Sequence, residues 1–188
     1  MLESIIKRDG HTEPFTPSKL NQWGEWAAQS LGDSVDWPSA VLETVSSMST
    51  TATSRELQQQ LIRTCLNFDT WSYNRMAGRL YPTLIRKDLY RNRRPTVLDL
   101  HRQLQQLGFM EMLDYSESEY AVIQEWIDHE RDFEYAHYQL HTHLTKYAIA
   151  DRVKGVYYES PQFIYMRMAM ALSVDQPRER RMRDVQRF

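Results

Sequence analysis

Residues 5–20 read Ile5-Ile-Lys-Arg-Asp-Gly-His-Thr-Glu-Pro-Phe-Thr-Pro-Ser-Lys-Leu20. Ile5 to Arg8 is short and β-prone, Asp9-Gly10 is a strong two-residue turn signal, and His11 to Phe15 returns, so the segment predicts a β-hairpin. Pro14 has no N–H to give to a ladder, which puts the return strand at an edge. Thr16 then stands at an N-cap position with Pro17 at the first helical position. Leu20, Trp23, Ala27 and Leu31 recur at helical spacing until Gly32 stops the element.

Lys7 and Arg8 are thereby expected on a hairpin strand, and Lys19 one turn into the next helix. Backbone N–H groups at a helix start, aided by fixed cations, form a ready anion site. Lys87, far along the chain, completes a ring of four cations if its helix packs beneath the hairpin. Such a ring suits a nucleoside triphosphate. Ordinary solvated lysines are the other reading, and on these residues alone both stay open.

Working outward, Trp37-Pro38 restarts a helix that carries Val41, Leu42 and Val45. The polar stretch 46–54 ends in Thr53-Ser-Arg-Glu56, a capping box. Its helix sets Leu57, Leu61, Ile62 and Cys65 on one face. A helix over 70–90 holds Pro82 as an expected kink and ends in Arg86, Lys87, Arg91, Arg93 and Arg94. Composition changes at Pro95, so residues 1–94 and 95–188 are expected to be separate domains. Beyond it, Val97, Leu100, Leu104 and Leu107 mark a helix closed by Gly108, and Ser116-x-x-Glu119 is a second capping box. Tyr147–Ala150 and Val156–Glu159 predict a second hairpin. Ser160-Pro161 opens a buried-looking helix through Phe163, Met166, Met170 and Leu172, and an Arg-rich helix runs to Phe188 with no C-cap. The fold class expected is mainly α with small β-hairpins: a hairpin capping a helical bundle, then a helical domain.

Composition narrows the function. The 188 residues carry 23 Lys+Arg and 25 Asp+Glu, a net charge of 23 − 25 = −2, which argues against a nucleic-acid partner. Cys65, the single cysteine, excludes a disulfide framework, a multi-cysteine zinc site and internal thiol-pair chemistry. No apolar run reaches the ~18 residues that span a bilayer, and the N-terminus lacks a signal-peptide core. A cytoplasmic setting without membrane contact is the expectation. His137, His141 and His143 lack a further ligand at matching spacing, so no metal site is expected. With no carboxylate pair, nucleophile triad or glycine-rich phosphate loop, no catalytic residue is assigned.

Residues 5–20 closely resemble the opening of an ATP-cone, the regulatory nucleotide-binding module of many ribonucleotide reductase large subunits and of a nucleotide-sensing repressor of reductase genes. Asp128-His-Glu-Arg-Asp-Phe133, Ala150-Asp-Arg-Val-Lys-Gly155 and Tyr158-Glu-Ser-Pro-Gln-Phe-Ile-Tyr165 resemble the helical region between cone and catalytic barrel in class I large subunits. The resemblance implies an allosteric activity site where ATP switches reduction on and dATP switches it off, with Mg2+ accompanying the nucleotide. Matched residue by residue, Lys7, Arg8 and Lys19 are cationic cone residues, and Glu13, Pro14, Phe15 and Thr16 lie beside the nucleotide. Thr53 or Ser54 supplies a hydroxyl, and Lys87 is a phosphate-side lysine. Gln58 and Thr83 depart from the pattern, standing where an imidazole and an aromatic ring occur.

The family's catalytic cysteines belong to the barrel, so this chain alone is expected to be inactive and to be the N-terminal piece of a large subunit, either naturally split or trimmed. The implied partners are the remaining barrel, the radical-generating small subunit and further copies of the chain. The last helix and the Met/aromatic face at 163–172 are expected to bury on that barrel. The competing reading is a non-enzymatic module with a degenerate cone that docks on a reductase.

Overall fold

A computed structural model describes residues 2–91 and 93–187. The expected chain end at Phe188 lies outside the described residues. Packing divides the chain into two units: Met1–Leu84 with Phe133–Gln139, and Ile85–Asp132 with Leu140–Phe188. This partition falls inside a helix, ahead of the Pro95 boundary expected from composition. The class is mainly α with small sheets, as the periodicities predict.

In the first unit, β1 (Ser4–Ile6) pairs antiparallel with β2 (Thr12–Pro14), with Ile6 opposite Thr12 and Ser4 opposite Pro14. The connection is wider than the two-residue turn expected. Gly10 N–H donates to the Lys7 carbonyl (3.0 Å) and Lys7 N–H to the His11 carbonyl (2.8 Å). A two-residue type I′ turn needs positive φ at both central residues. Here Gly10 alone supplies it, at +92°. Lys7 and Arg8 therefore sit on the turn rather than within a strand.

A third strand, β3 (Thr51–Thr53), runs parallel to β1 and gives the order β2-β1-β3. Pro14 is thus on an edge strand, as its missing N–H requires. The polar stretch 46–54 concealed β3, whose signal is alternation: Ala52 is buried between more accessible threonines.

Helices α1 (Pro17–Ala28), α2 (Trp37–Ser46), α3 (Ser54–Asn67) and α4 (Trp71–Tyr90) follow. Thr16 takes the N-cap position of α1 without a side-chain hydrogen bond. Asp36 caps α2, and the Thr53–Glu56 capping box on α3 is complete. Gly24 lets α1 meet α2: a Cβ there would come within 2.8 Å of Val41 Cγ2. The core gathers Leu20, Ala27, Val41, Leu61, Met76 and Leu80. Cys65 is buried among them, and burial pushes its thiol up to about 12.

In the second unit, α5 (Val97–Gln106) is capped by Thr96, and α6 (Glu117–Trp126) by the Ser116–Glu119 box. Helix α7 (His137–Tyr147) leads into β4 (Ala150–Asp151) and β5 (Val156–Tyr157), followed by α8 (Pro161–Ser173) and α9 (Arg178–Arg187). Leu100, Leu104, Tyr120, Ile123, Phe163 and Met170 fill the core.

The 163–172 face expected to meet a partner is largely consumed here: Phe163, Ile164 and Met170 are at most 1% exposed, whereas Leu172 is 68% exposed. Helix α9 is likewise held inside its own unit. Val185 is buried, Arg181 bonds Glu119 on α6, and its guanidinium lies 4.7 Å from the Tyr115 ring centroid. No helix among the described residues is long and apolar enough to cross a membrane.

Candidate functional site

The hairpin and α1 bring two ammonium groups onto one oxygen. Glu13 Oε1 accepts from Lys7 Nζ at 2.9 Å and from Lys19 Nζ at 3.0 Å. Register explains the first contact: Lys7 faces His11 across the turn, and Glu13 lies two residues further along the same strand face. The second follows from the short Phe15–Thr16 link, which starts α1 directly after β2. Lys7, and Lys19 after it, hold the Glu13 carboxyl below the usual range by hydrogen bonding. On its other side His11 Nε2 lies 3.9 Å from Glu13 Oε2, while His11 Nδ1 pairs with Asp9 Oδ1 at 2.6 Å.

The unforeseen strand β3 carries the next residues to this place. Ile6 is paired with Thr53 in parallel register, so the α3 N-terminus begins beside the point where β1 gives way to Lys7. Thr53 is committed to capping: its hydroxyl accepts from Glu56 N–H (3.1 Å) and donates to the Glu56 carboxylate (2.8 Å). Ser54 is the first residue of α3 and half-buried. Pro14 is exposed at the edge, and Thr16 is exposed at the start of α1. Phe15 packs on the core, its N–H bonded to the Glu3 carbonyl at 2.8 Å.

Gln58 and Thr83, two separate departures in sequence, touch each other. Gln58 is 1% exposed; its amide donates to Thr83 Oγ1 and to the Leu80 carbonyl, which also accepts from Thr83 Oγ1 at 2.8 Å. One polar tie between α3 and α4 thus occupies both positions. Arg8 is exposed on the turn; Lys87 lies half-buried in the last turn of α4, within the unit that begins at Ile85.

Glu13, expected only as a neighbour of the nucleotide, bridges the two lysines. The diagonal Lys7/Glu13 placement in a hairpin was the available signal. Elsewhere, His137 packs on Tyr81 with ring centroids 4.5 Å apart, and His143 shares a hydrogen bond with the Tyr165 hydroxyl. No group of three or more His, Cys, Asp or Glu side chains among the described residues is arranged to hold a metal.

Two family models match the chain. The ATP cone domain covers residues 3–79, and the ribonucleotide reductase all-alpha domain covers residues 133–188. The chain thus resembles the N-terminal part of a ribonucleotide reductase large subunit, cone first and helical domain after. It is 29% identical over 191 residues to ribonucleoside-diphosphate reductase 1 subunit alpha of Escherichia coli K12, covering 98% of this chain and 25% of that protein. The corresponding alpha subunit of Enterobacteria phage T4 is 30% identical over 187 residues, covering 95% of this chain and 24% of the relative. That of Haemophilus influenzae is 28% identical, covering 98% and 25%. The chain spans about a quarter of the length of these relatives.

Proposed function

We propose that this chain is the regulatory N-terminal part of a ribonucleoside-diphosphate reductase large subunit. Residues 1–94 sense ATP and dATP, and residues 95–188 join the sensor to a catalytic barrel carried by another chain or by further sequence. The observation that supports this reading is the convergence of Lys7 and Lys19 on a single anionic oxygen, inside the stretch matched by the ATP cone domain. In the proposed complex a phosphate oxygen takes that position, with Arg8 adding charge and the starts of α1 and α3 supplying backbone N–H groups. Charge-assisted contacts of this kind are the strong ones. Mg2+ accompanies the nucleotide.

The chain's share in deoxyribonucleotide synthesis is control rather than chemistry. Its one cysteine is buried with its thiol pushed up to about 12, far from the thiolate that thiol–disulfide exchange begins from. The partners in this reading are the barrel, the small radical-generating subunit and further copies of the chain. Thermal unfolding with saturating ATP or dATP provides the test. A rise in Tm with either nucleotide is expected; no shift with both contradicts the sensor.

A second reading is a cone that no longer binds nucleotide and docks on a reductase. The Gln58–Thr83 tie favours it, because those two side chains already satisfy one another. Adding the chain to a complete reductase separates the readings: nucleotide-dependent change in activity belongs to the first, nucleotide-independent change to the second.

A further inference from the structure

Glu13 stands in an unusual place for a side chain beside an anion site. Its carboxylate is not merely near the two lysines. One oxygen takes a hydrogen bond from each ammonium group, at 2.9 and 3.0 Å. Lys7 and Lys19 come from different elements, the hairpin turn and α1, and share that oxygen as a target. A polyphosphate seeking the same two cations meets a carboxylate already bound to both.

Resting on the proposed nucleotide site, we infer that Glu13 is a built-in counter-ion that occupies the phosphate position and must leave its lysines when a triphosphate binds. The chain thereby holds its affinity for the effector below what its cations alone would give. Three features make the exchange workable. Glu13 lies on β2, an edge strand, and its side chain is 30% exposed, so it can swing without disturbing the core. His11 Nε2 lies 3.9 Å from the other Glu13 oxygen, and, with Nδ1 donating to Asp9, the imidazolium form can donate Nε2–H to the released carboxylate. The lysine contacts are solvent-facing, and exposed ion pairs are individually weak, so a triphosphate with several oxygens can outcompete one carboxylate. The two lysines also keep Glu13 ionised, since they lower its proton affinity.

Inorganic tripolyphosphate is the probe, because it carries the charge without base or sugar. Titrated calorimetrically into the full chain and into its Glu13→Gln variant, it is expected to bind the variant about three- to tenfold more tightly, a gain that shrinks as salt is added. Glutamine keeps an acceptor oxygen for the lysines while removing the charge, so the turn is retained. In the unaltered chain, NMR titration of the Glu13 carboxyl carbon is expected to find its pKa low when free and closer to an ordinary glutamate when saturated with tripolyphosphate. Equal or weaker binding by Glu13→Gln, or a carboxyl that stays depressed in the saturated chain, overturns the counter-ion role while leaving the site intact. If neither protein binds tripolyphosphate or ATP, the nucleotide site itself is lost and this inference with it.

Discussion

Asp132 and Glu119 are both buried carboxyls of the second unit, and their surroundings drive them in opposite directions. For Glu119, burial acts upward, but the Ser116 backbone N–H, the Ser116 hydroxyl and Arg181 outweigh it and bring the group to about 2. For Asp132, burial dominates over one hydrogen bond from Gln162 and the charge of Arg94, and the carboxyl rises to about 7. A folded-state pKa raised above the unfolded one means that the folded chain holds the proton more tightly. Stability from this group is complete below the unfolded value and drains away as pH climbs through about 7.

Asp132→Asn removes the ionisation and leaves an oxygen for Gln162. Chemical denaturation should therefore find the variant more stable than the parent near pH 8, by about 1–3 kcal/mol, with the gap narrowing below pH 7 and closing at about pH 4. A constant gap across that range contradicts the assignment. His129 and His101, each pushed down to about 4 mainly by burial, act on the acid side in both proteins and cancel in the comparison. The sequence made Glu119 legible as a capping residue, because Ser-x-x-Glu is a local pattern. Its tie to Arg181 was not legible, since that partner arrives 62 residues later.

At the scale of elements, Gly78 decides how closely the returning segment 133–139 approaches α4 within the first unit. A Cβ at Gly78 would run into the Tyr135 carbonyl and meet Ala136 Cα at 2.8 Å. Nearby, Asn74 Oδ1 accepts from Tyr138 N–H at 3.2 Å, and Trp26 meets Phe133 edge-on at 5.4 Å. Helix propensity alone favours alanine over glycine by roughly 1 kcal/mol. The expected outcome of Gly78→Ala is the reverse, a loss of about 1–3 kcal/mol in urea unfolding, because backbone must move to admit the methyl group. A stabilised variant would mean that the segment does not pack there.

Local signals carried most helices: Pro17, Thr53, Ser116 and Pro161 each opened an element where expected. What stayed hidden was non-local. Strand β3 is three residues long, polar on its exposed positions, and defined only by its pairing with β1. Segment 133–139 returns to a unit that the chain left at Leu84. Glu159 shows the same limit. It reads as an ordinary acid, yet it is 0% exposed, pairs with Arg167 at 2.6 Å and accepts from Ile149 N–H at 2.7 Å, tying the start of β4 to α8.

Over the whole molecule, two recognisable modules carry different kinds of evidence. The cone match covers residues 3–79, and within it Lys7, Glu13 and Lys19 come together at one carboxylate oxygen. The all-alpha match covers residues 133–188, of which Phe163, Ile164, Met170 and Val185 are buried in the second unit. Net charge is −2, so the proposed triphosphate site draws on a local arrangement of cations rather than on the field of the whole protein.

The most direct measurement is calorimetric titration of ATP into the unaltered chain and into the Lys7→Ala and Lys19→Ala variants, at two salt concentrations. Saturable binding is expected, weakened by about tenfold or more by each substitution, with a smaller loss at high salt. Binding that survives both substitutions unchanged would contradict the proposed site.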